Sequence, residues 1–478
     1  MAQEKDVSRR EFVKAAGVVS AVAAAIPAVH GAPAIQKVRA ANDQVQFGII
    51  GTGSRGQYLL KHLKGIDNGR CVAACDINPE SLKKGVDYIG SNPKQYKDYR
   101  ELLASKEVEA VFVTTPLFVH FPVTKDALMA GKHVFCEKCL VFKPEEVHAL
   151  RALHLEHPKQ VLQTGLQRRY SQFYQTVKQM VDKGILGRVH HIHAQWHRNM
   201  INKPSSLWTM KPDGEKNIAN WRLYRSMSGG IAAELTSHQV DVADWMFGSQ
   251  PEFVMGLGSL DILKDGRDVY DNIQLIYKYP NGQKMTYSSI STNQFLPYFN
   301  GNRAEMGEII MGTEGTIELT VGGDNPGVTF QPPIAWWYRE PPKAAAEVTK
   351  AGEKKKEVVA GASMVAGSGA MGPIPILTGD IDLTGKESFI DKEVKFAKRW
   401  LTSKGVMLQE ERRNPVDVEL ESFFDCCRSG RAPIANMEIG MADSVAVILS
   451  NLAMDEGRKV YFNEIEKMGR PAVPAKKG

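Results

Sequence analysis

The sequence predicts two domains: an α/β domain on a doubly wound parallel sheet, then an α+β domain on a mainly antiparallel open sheet with helices. Three observations carry this. Between residues 45 and 165, short apolar strands alternate with helical stretches, the pattern of parallel β-α-β units. A glycine-rich turn, Gly51-Thr52-Gly53-Ser54-Arg55-Gly56, joins the first strand to the first helix. After residue 187 the period changes to the alternation of half-exposed strands.

The 478 residues are too many for one ordinary domain, and 43% hydrophobic with 24% charged residues is a globular composition. The net charge of +6 is small for this length, and part of it lies in an N-terminal targeting segment, so nucleic-acid binding gains no support. That segment, residues 1–34, is read as a twin-arginine signal. Ser8-Arg9-Arg10-Glu11-Phe12-Val13-Lys14 precedes an Ala/Val run from Ala15 to Val29 and small residues at Ala32-Pro33-Ala34. The run is too short for a membrane span, and no cysteine near it marks a lipid anchor. Export of a folded protein to the periplasm is expected. The six cysteines are too few for a disulfide framework and lack zinc-site spacing, so buried thiols and no metal are expected.

Residues 43–165 form the predicted Rossmann dinucleotide-binding domain. Val45–Ile50 is a buried strand that runs into the glycine turn and a helix over Gln57–Lys64. Gly51 makes the tight turn, Gly53 admits the pyrophosphate and Gly56 lets helix and strand pack, while the helix N-terminus offers amides to phosphate. A second strand, Cys71–Asp76, ends in an acid placed to hold ribose hydroxyls and repel a 2′-phosphate, which predicts NAD rather than NADP. Helices over 79–90, 98–105, 120–130 and 143–157 alternate with strands over Val111–Thr115, His133–Cys136 and Val161–Thr164. Ligands of such sheets bind at the carboxyl ends of strands, where Thr115, Pro116, His120, Glu137 and Lys138 fall.

Residues 166–460 form the second domain, for substrate and self-association. Strands are predicted over Val189–Trp196, Val269–Tyr279 and Lys284–Ser291, the last two joined by the turn Pro280-Asn281-Gly282. Glu308–Met311 and Thr316–Thr320 pair around Gly312–Gly315. Residues 322–378, rich in Gly, Pro, Ala and Lys, read as a surface insertion, with Trp336, Trp337 and Tyr338 as packed exceptions. Helices are predicted over 391–403, 415–428 and 438–457.

Within this domain, Gly229–Trp245 reads as two glycines followed by a helix with Glu234, His238 and Asp241 at spacings of four and three, hence on one face. An acid one turn before a histidine can orient the imidazole and hold up its pKa. Upstream, residues 195–228 bring together Trp196, Arg198, Trp208, Trp221, Arg222, Tyr224 and Arg225. Rings to stack on sugar C–H faces and charged donors for hydroxyls suit a carbohydrate, and core packing explains the tryptophans equally well. Arg168 and Arg169 follow the last parallel strand and point toward the same crevice.

These motifs together resemble the glucose–fructose oxidoreductase, inositol dehydrogenase and rhizopine-catabolism (Gfo/Idh/MocA) family, in an exported twin-arginine subgroup. The matching stretches are Gly51–Gly56 with Asp76; Thr115-Pro116 with His120; Ala130–Val134 leading to Glu137-Lys138; Gly184–Val189; Gly229-Gly230 leading to Glu234 and His238; and Gly312–Thr316. The likeness covers most of 45–322 and the helices after 415. Two departures stand out: Cys139 where the family has proline after Glu-Lys, and Glu234 where it usually has Asp.

The resemblance implies hydride exchange between NAD and a secondary hydroxyl of a sugar, polyol or glycoside. His238 is then the acid/base, Lys138 binds the reacting oxygen and Glu234 orients the pair, or else Lys138 is itself the base. Cofactor contacts fall to Gly51, Thr52, Gly53, Ser54, Arg55, Gly56, Asp76, Thr115, Pro116, His120, Glu137 and Lys138. Substrate contacts fall to Arg168, Arg198, Trp208, Trp221, Arg222 and Tyr224. Periplasmic location, where free NAD is scarce, favours tightly held NAD, and the resemblance gives grounds to expect an oligomer through the antiparallel sheet. Two other readings fit the same residues: a redox glycosidase that oxidises, eliminates an aglycone and reduces, and a non-catalytic exported sugar-binding protein that retains NAD.

Overall fold

The computed structural model describes residues 44–202, 204–292, 306–320, 334–339, 374–377, 389–409, 411 and 413–468. The predicted signal and most of 322–378 lie outside them.

The first sheet holds β1 (Val45–Ile50), β2 (Gly69–Cys75), β3 (Lys94–Tyr96), β4 (Ala110–Val113), β5 (His133–Glu137) and β6 (Leu162–Gly165), in the order β3-β2-β1-β4-β5-β6. Every pairing is parallel. This is the Rossmann order, and it reverses between β1 and β4, so the loops after those strands flank an open crevice. The three-residue β3 is too short to show a period in sequence.

Beneath this sheet Phe47, Phe112 and Phe135 meet Phe423 and Phe424 of the helix Pro415–Ser429, with ring centroids 5.3 Å apart for Phe47–Phe424 and Phe112–Phe423. The sequence assigns that helix to the second domain, and it packs on the first. A parallel sheet needs apolar cover on both faces, and the stripe Val416, Leu420, Phe423, Phe424 supplies it.

The second sheet adds β7 (Val189–Trp196), β8 (Phe253–Ser259), β9 (Asn272–Lys278), β10 (Lys284–Ile290), β11 (Met306–Gly312), β12 (Gly315–Thr320), β13 (Ile334–Arg339), β14 (Ile374–Leu377) and β15 (Val460–Tyr461). Its order is β14-β13-β12-β11-β7-β10-β9-β8-β15, antiparallel except for β7 with β10. One face, with Ile192, Ala194, Ile273, Leu275, Tyr277 and Met285 buried, packs on the helices Ser237–Phe247 and Met437–Glu456. Met437–Glu456 is apolar and long enough to cross a membrane, but most of it is buried inside the protein, as in a core helix.

Within 322–378, β13 and β14 extend the sheet, so this stretch is not wholly a surface insertion. Trp337 is buried and stacks on Trp400 at 5.6 Å between centroids, which is the packing its aromatic cluster requires. The six cysteines are free thiols, four of them buried and Cys71 and Cys427 partly so.

Candidate active site

The turn after β1 is built for close approach. Gly51 sits at φ +93°, and a Cβ on Gly56 would lie 2.1 Å from the Gly51 carbonyl, so neither tolerates a side chain. A Cβ on Gly53 would meet nothing within 4 Å, because it faces a cleft of about 500 Å³. The helix Ser54–Leu63 starts there without a side-chain cap, leaving first-turn amides for a phosphate.

Asp76 accepts the Thr52 amide at 2.7 Å on one oxygen and the Asn78 amide at 2.8 Å on the other. The Thr52 hydroxyl donates to the first oxygen as well, at 3.3 Å. An ionised carboxylate has about four acceptor positions, so one remains for a ribose hydroxyl. The residues present therefore fit NAD. Gly51, Gly53, Ser54, Arg55, Asp76, Thr115, Pro116, His120, Glu137 and Lys138 all line the cleft. Thr52 and Gly56 do not: Thr52 is wholly buried behind Asp76, and Gly56 packs on Gly51. Sequence reasoning missed Asn78, Ser81, Thr114 and Gln167, which also line it. Asn78 was legible as the helix cap it is, since its side chain accepts the amides of Glu80 and Ser81.

Around the cofactor crevice, Arg55 Nε donates to Glu137 Oε1 at 2.6 Å, tying the glycine loop to the end of β5. His120 is buried with Nδ1 2.7 Å from the Cys139 carbonyl and Nε2 2.9 Å from that of Thr115. Burial lowers its pKa, and a neutral ring donates to only one of them. Its place is to brace the loops after β4 and β5.

Lys138 reaches across to the second domain. Its Nζ donates to the carbonyls of Ala233, at 2.6 Å, and Glu234, at 3.0 Å. Those carbonyls belong to a π-helical turn, Ala232–Thr236, that precedes the regular helix Ser237–Phe247. The wider turn breaks the α-helical hydrogen-bond ladder and offers backbone oxygens to a side chain. An ammonium has three donors, so one remains for a ligand. The Lys138–Cys139 peptide is cis.

The π turn also overturns the one-face geometry read from sequence. Glu234 does not orient His238: its Oε2 accepts from Arg222 Nε at 2.9 Å. Burial pushes the Glu234 pKa up, but Arg222 and Lys138 outweigh this and hold it below the ordinary value. Asp241 turns away to Arg169, at 2.7 Å. His238 is buried at the cleft wall, its ring centroid 5.7 Å from that of Trp196, and no described residue bonds its ring nitrogens. Its pKa is driven well below the usual histidine value, first by burial and then by Lys138, Arg168, Arg55 and Arg198, so the ring is neutral.

Fewer of the residues expected to touch substrate line the cleft than the sequence implied. Trp221 and Arg222 line the cleft, and the Arg222 guanidinium lies 4.1 Å over the Trp221 ring. Arg168 does not line it: it is buried in an ion pair with Glu308, which Tyr174 also contacts. Arg198 lies 5.3 Å from the Trp196 ring and 5.4 Å from the Trp208 ring and does not line the cleft. Trp208 and Tyr224 pack with Met200 and Leu223 in a small core of their own. In each case a local partner of the right charge or shape was nearer than the crevice, which spacing along the chain cannot show.

Comparison with known proteins agrees with this geometry. Residues 45–165 match the family model "Oxidoreductase family, NAD-binding Rossmann fold" and residues 174–318 match "GFO/IDH/MocA C-terminal domain". An uncharacterized oxidoreductase of Synechocystis is 31% identical over 202 residues, 42% of this chain and 50% of that protein. Inositol 2-dehydrogenase of Burkholderia multivorans is 28% identical over 205 residues, 43% of this chain and 55% of that protein. The match thus spans about half the length of these relatives. The fold is shared with a levoglucosan dehydrogenase solved with NADH and levoglucosan, at TM-score 0.62 and 17% identity over 88% of this chain and 99% of that one. With both domain models matched, the NAD-binding one on the parallel sheet, this chain belongs to the GFO/IDH/MocA family of oxidoreductases.

Proposed function

We propose that this protein is an exported NAD(H)-dependent dehydrogenase or reductase that moves a hydride to or from a secondary hydroxyl carbon of a sugar, polyol or glycoside. The observation that carries the reading is that Lys138 and His238, from different domains, line one cleft with the glycine loop. NAD, when bound, accepts or returns the hydride. Neutral His238 takes the hydroxyl proton on a ring nitrogen, and the third Lys138 N–H holds the reacting oxygen and favours its anionic form. Arg222, fixed by Glu234 and Trp221, is a donor for a neighbouring hydroxyl. The likeness to inositol 2-dehydrogenase and to the fold of levoglucosan dehydrogenase supports a carbohydrate substrate.

Ser8–Lys14 supports export by the twin-arginine route to the periplasm, where free NAD is scarce and a retained cofactor is an advantage. Exposed Met255, Leu257 and Ile276 on the outer face of the second sheet support self-association there.

The test is native purification followed by mass spectrometry for bound NAD and turnover assays over a panel of sugars and polyols. Lys138→Ala and His238→Ala should each lower turnover about a hundredfold or more while NAD binding persists. A double variant working at the wild-type rate would overturn the assignment.

A further inference from the structure

The cleft that holds Lys138 and His238 is also lined by Leu207, Ile218, Ala219, Trp221 and Arg222, from the stretch 207–222. This stretch is anchored. Asn220, 1% exposed, bonds both the amide and the carbonyl of Lys211 and the carbonyl of Gly214. Asn217 caps the short helix Ile218–Leu223 through the Ala219 amide. On this platform some apolar side chains turn inward: Trp208 and Leu223 are buried with Tyr224. Their near neighbours Leu207 and Ile218 do the opposite. They line the cleft and remain 42% and 45% exposed.

Large apolar side chains held in water on an anchored wall, beside polar groups that converge on a ligand, mark a surface that a ligand covers. A third exposed apolar residue of the cleft, Ile77, follows Asp76 at the ribose end, where the adenine base accounts for it. Leu207 and Ile218 instead share their wall with Trp221 and Arg222, on the second domain. A free polyol or monosaccharide offers only small C–H faces between its hydroxyls and would cover little of either side chain.

We infer that Leu207 and Ile218 form a subsite for an apolar, ring-sized aglycone, so that the substrate is a glycoside rather than a free sugar or inositol. This rests on the carbohydrate reading above and narrows it. The sugar ring lies at Lys138, His238 and Arg222, and the aglycone lies against the apolar wall. Covering those two side chains with a ring removes enough apolar surface from water for about tenfold in affinity or more.

The experiment uses the full chain with NAD and two probes for each of glucose, galactose, mannose and xylose, the methyl and the 4-nitrophenyl glycoside. Dissociation constants are measured by calorimetry and oxidation by NADH absorbance. The expected result is that, for the sugar that binds, the 4-nitrophenyl glycoside binds about tenfold or more tightly than the methyl one. In a Leu207→Ser, Ile218→Ser double variant that advantage should fall to about threefold or less, with methyl-glycoside affinity and NAD retention unchanged. Equal affinity for the two probes, or no binding by any of them, overturns the subsite. So does a variant that releases NAD or loses both probes alike, which would make these residues part of the cofactor wall or the fold. The two readings fail separately. Oxidation of methyl glycosides with no aryl preference keeps the dehydrogenase and removes the subsite. An aryl preference that depends on Leu207 and Ile218, with no NAD reduction by any probe, keeps the subsite and removes the dehydrogenase.

Discussion

Arg222 donates from Nε to Glu234 Oε2 at 2.9 Å while its guanidinium lies 4.1 Å over the Trp221 ring. The acid one turn before the histidine therefore holds Arg222 of the cleft wall and not the imidazole. Charge and stacking together hold Arg222 in one orientation, with N–H groups left for a ligand hydroxyl.

Because Glu234 acts through Arg222, their effects should overlap. Glu234→Gln and Arg222→Gln should each lower kcat/KM by about tenfold, and the double variant should lose little more than either single one. Additive losses would show that Glu234 has a separate role. The pH profile of Glu234→Gln should keep the wild-type shape, since His238 is not its partner.

His238 makes a second prediction. Its folded pKa is depressed, so the neutral base persists as pH falls through about 6.5, where an ordinary histidine gains its proton. The acidic limb of kcat/KM should lie below that value. The same sign governs stability for a half-buried histidine, His197, lowered to about 4. Its contribution is complete above about 6.5 and is lost as pH falls from there toward about 4. Melting temperatures taken across that interval should fall with pH, and less steeply in His197→Asn.

Asp76 predicts the cofactor choice. Both its oxygens already accept loop amides and one also accepts the Thr52 hydroxyl, and Asp76 lines the crevice with about one acceptor position left. Asp76→Ser should weaken NAD binding by about tenfold or more, the scale of losing charged hydrogen bonds, and narrow the preference over NADP. Wild-type protein that binds NADP as tightly as NAD would refute the role given to Asp76.

Much of the first domain was legible in sequence because its determinants are local. Continuous apolar runs make the buried strands, and the glycines of Gly51–Gly56 follow from what a backbone turn and a close helix allow. The acid at Asp76 lies at a fixed distance along one β-α-β unit. The paired strands around Pro280-Asn281-Gly282 were legible for the same reason, a two-fold period with a turn between. What tertiary structure decided were the partners of charged side chains and the covering of faces. Glu234, Arg168 and Asp241 were read by spacing on a regular helix or after a strand. Each goes instead to an opposite charge brought from elsewhere in the chain, because a buried ion needs a counter-charge nearby. The π turn at Ala232–Thr236 has no sequence mark, and the partner of its carbonyls, Lys138, comes from the other domain. The helix Pro415–Ser429 carries an apolar stripe that fits either sheet, and only the folded chain shows Phe423 and Phe424 seated on Phe47 and Phe112. Periodicity determines which face of an element is apolar, and the packed fold determines what that face meets.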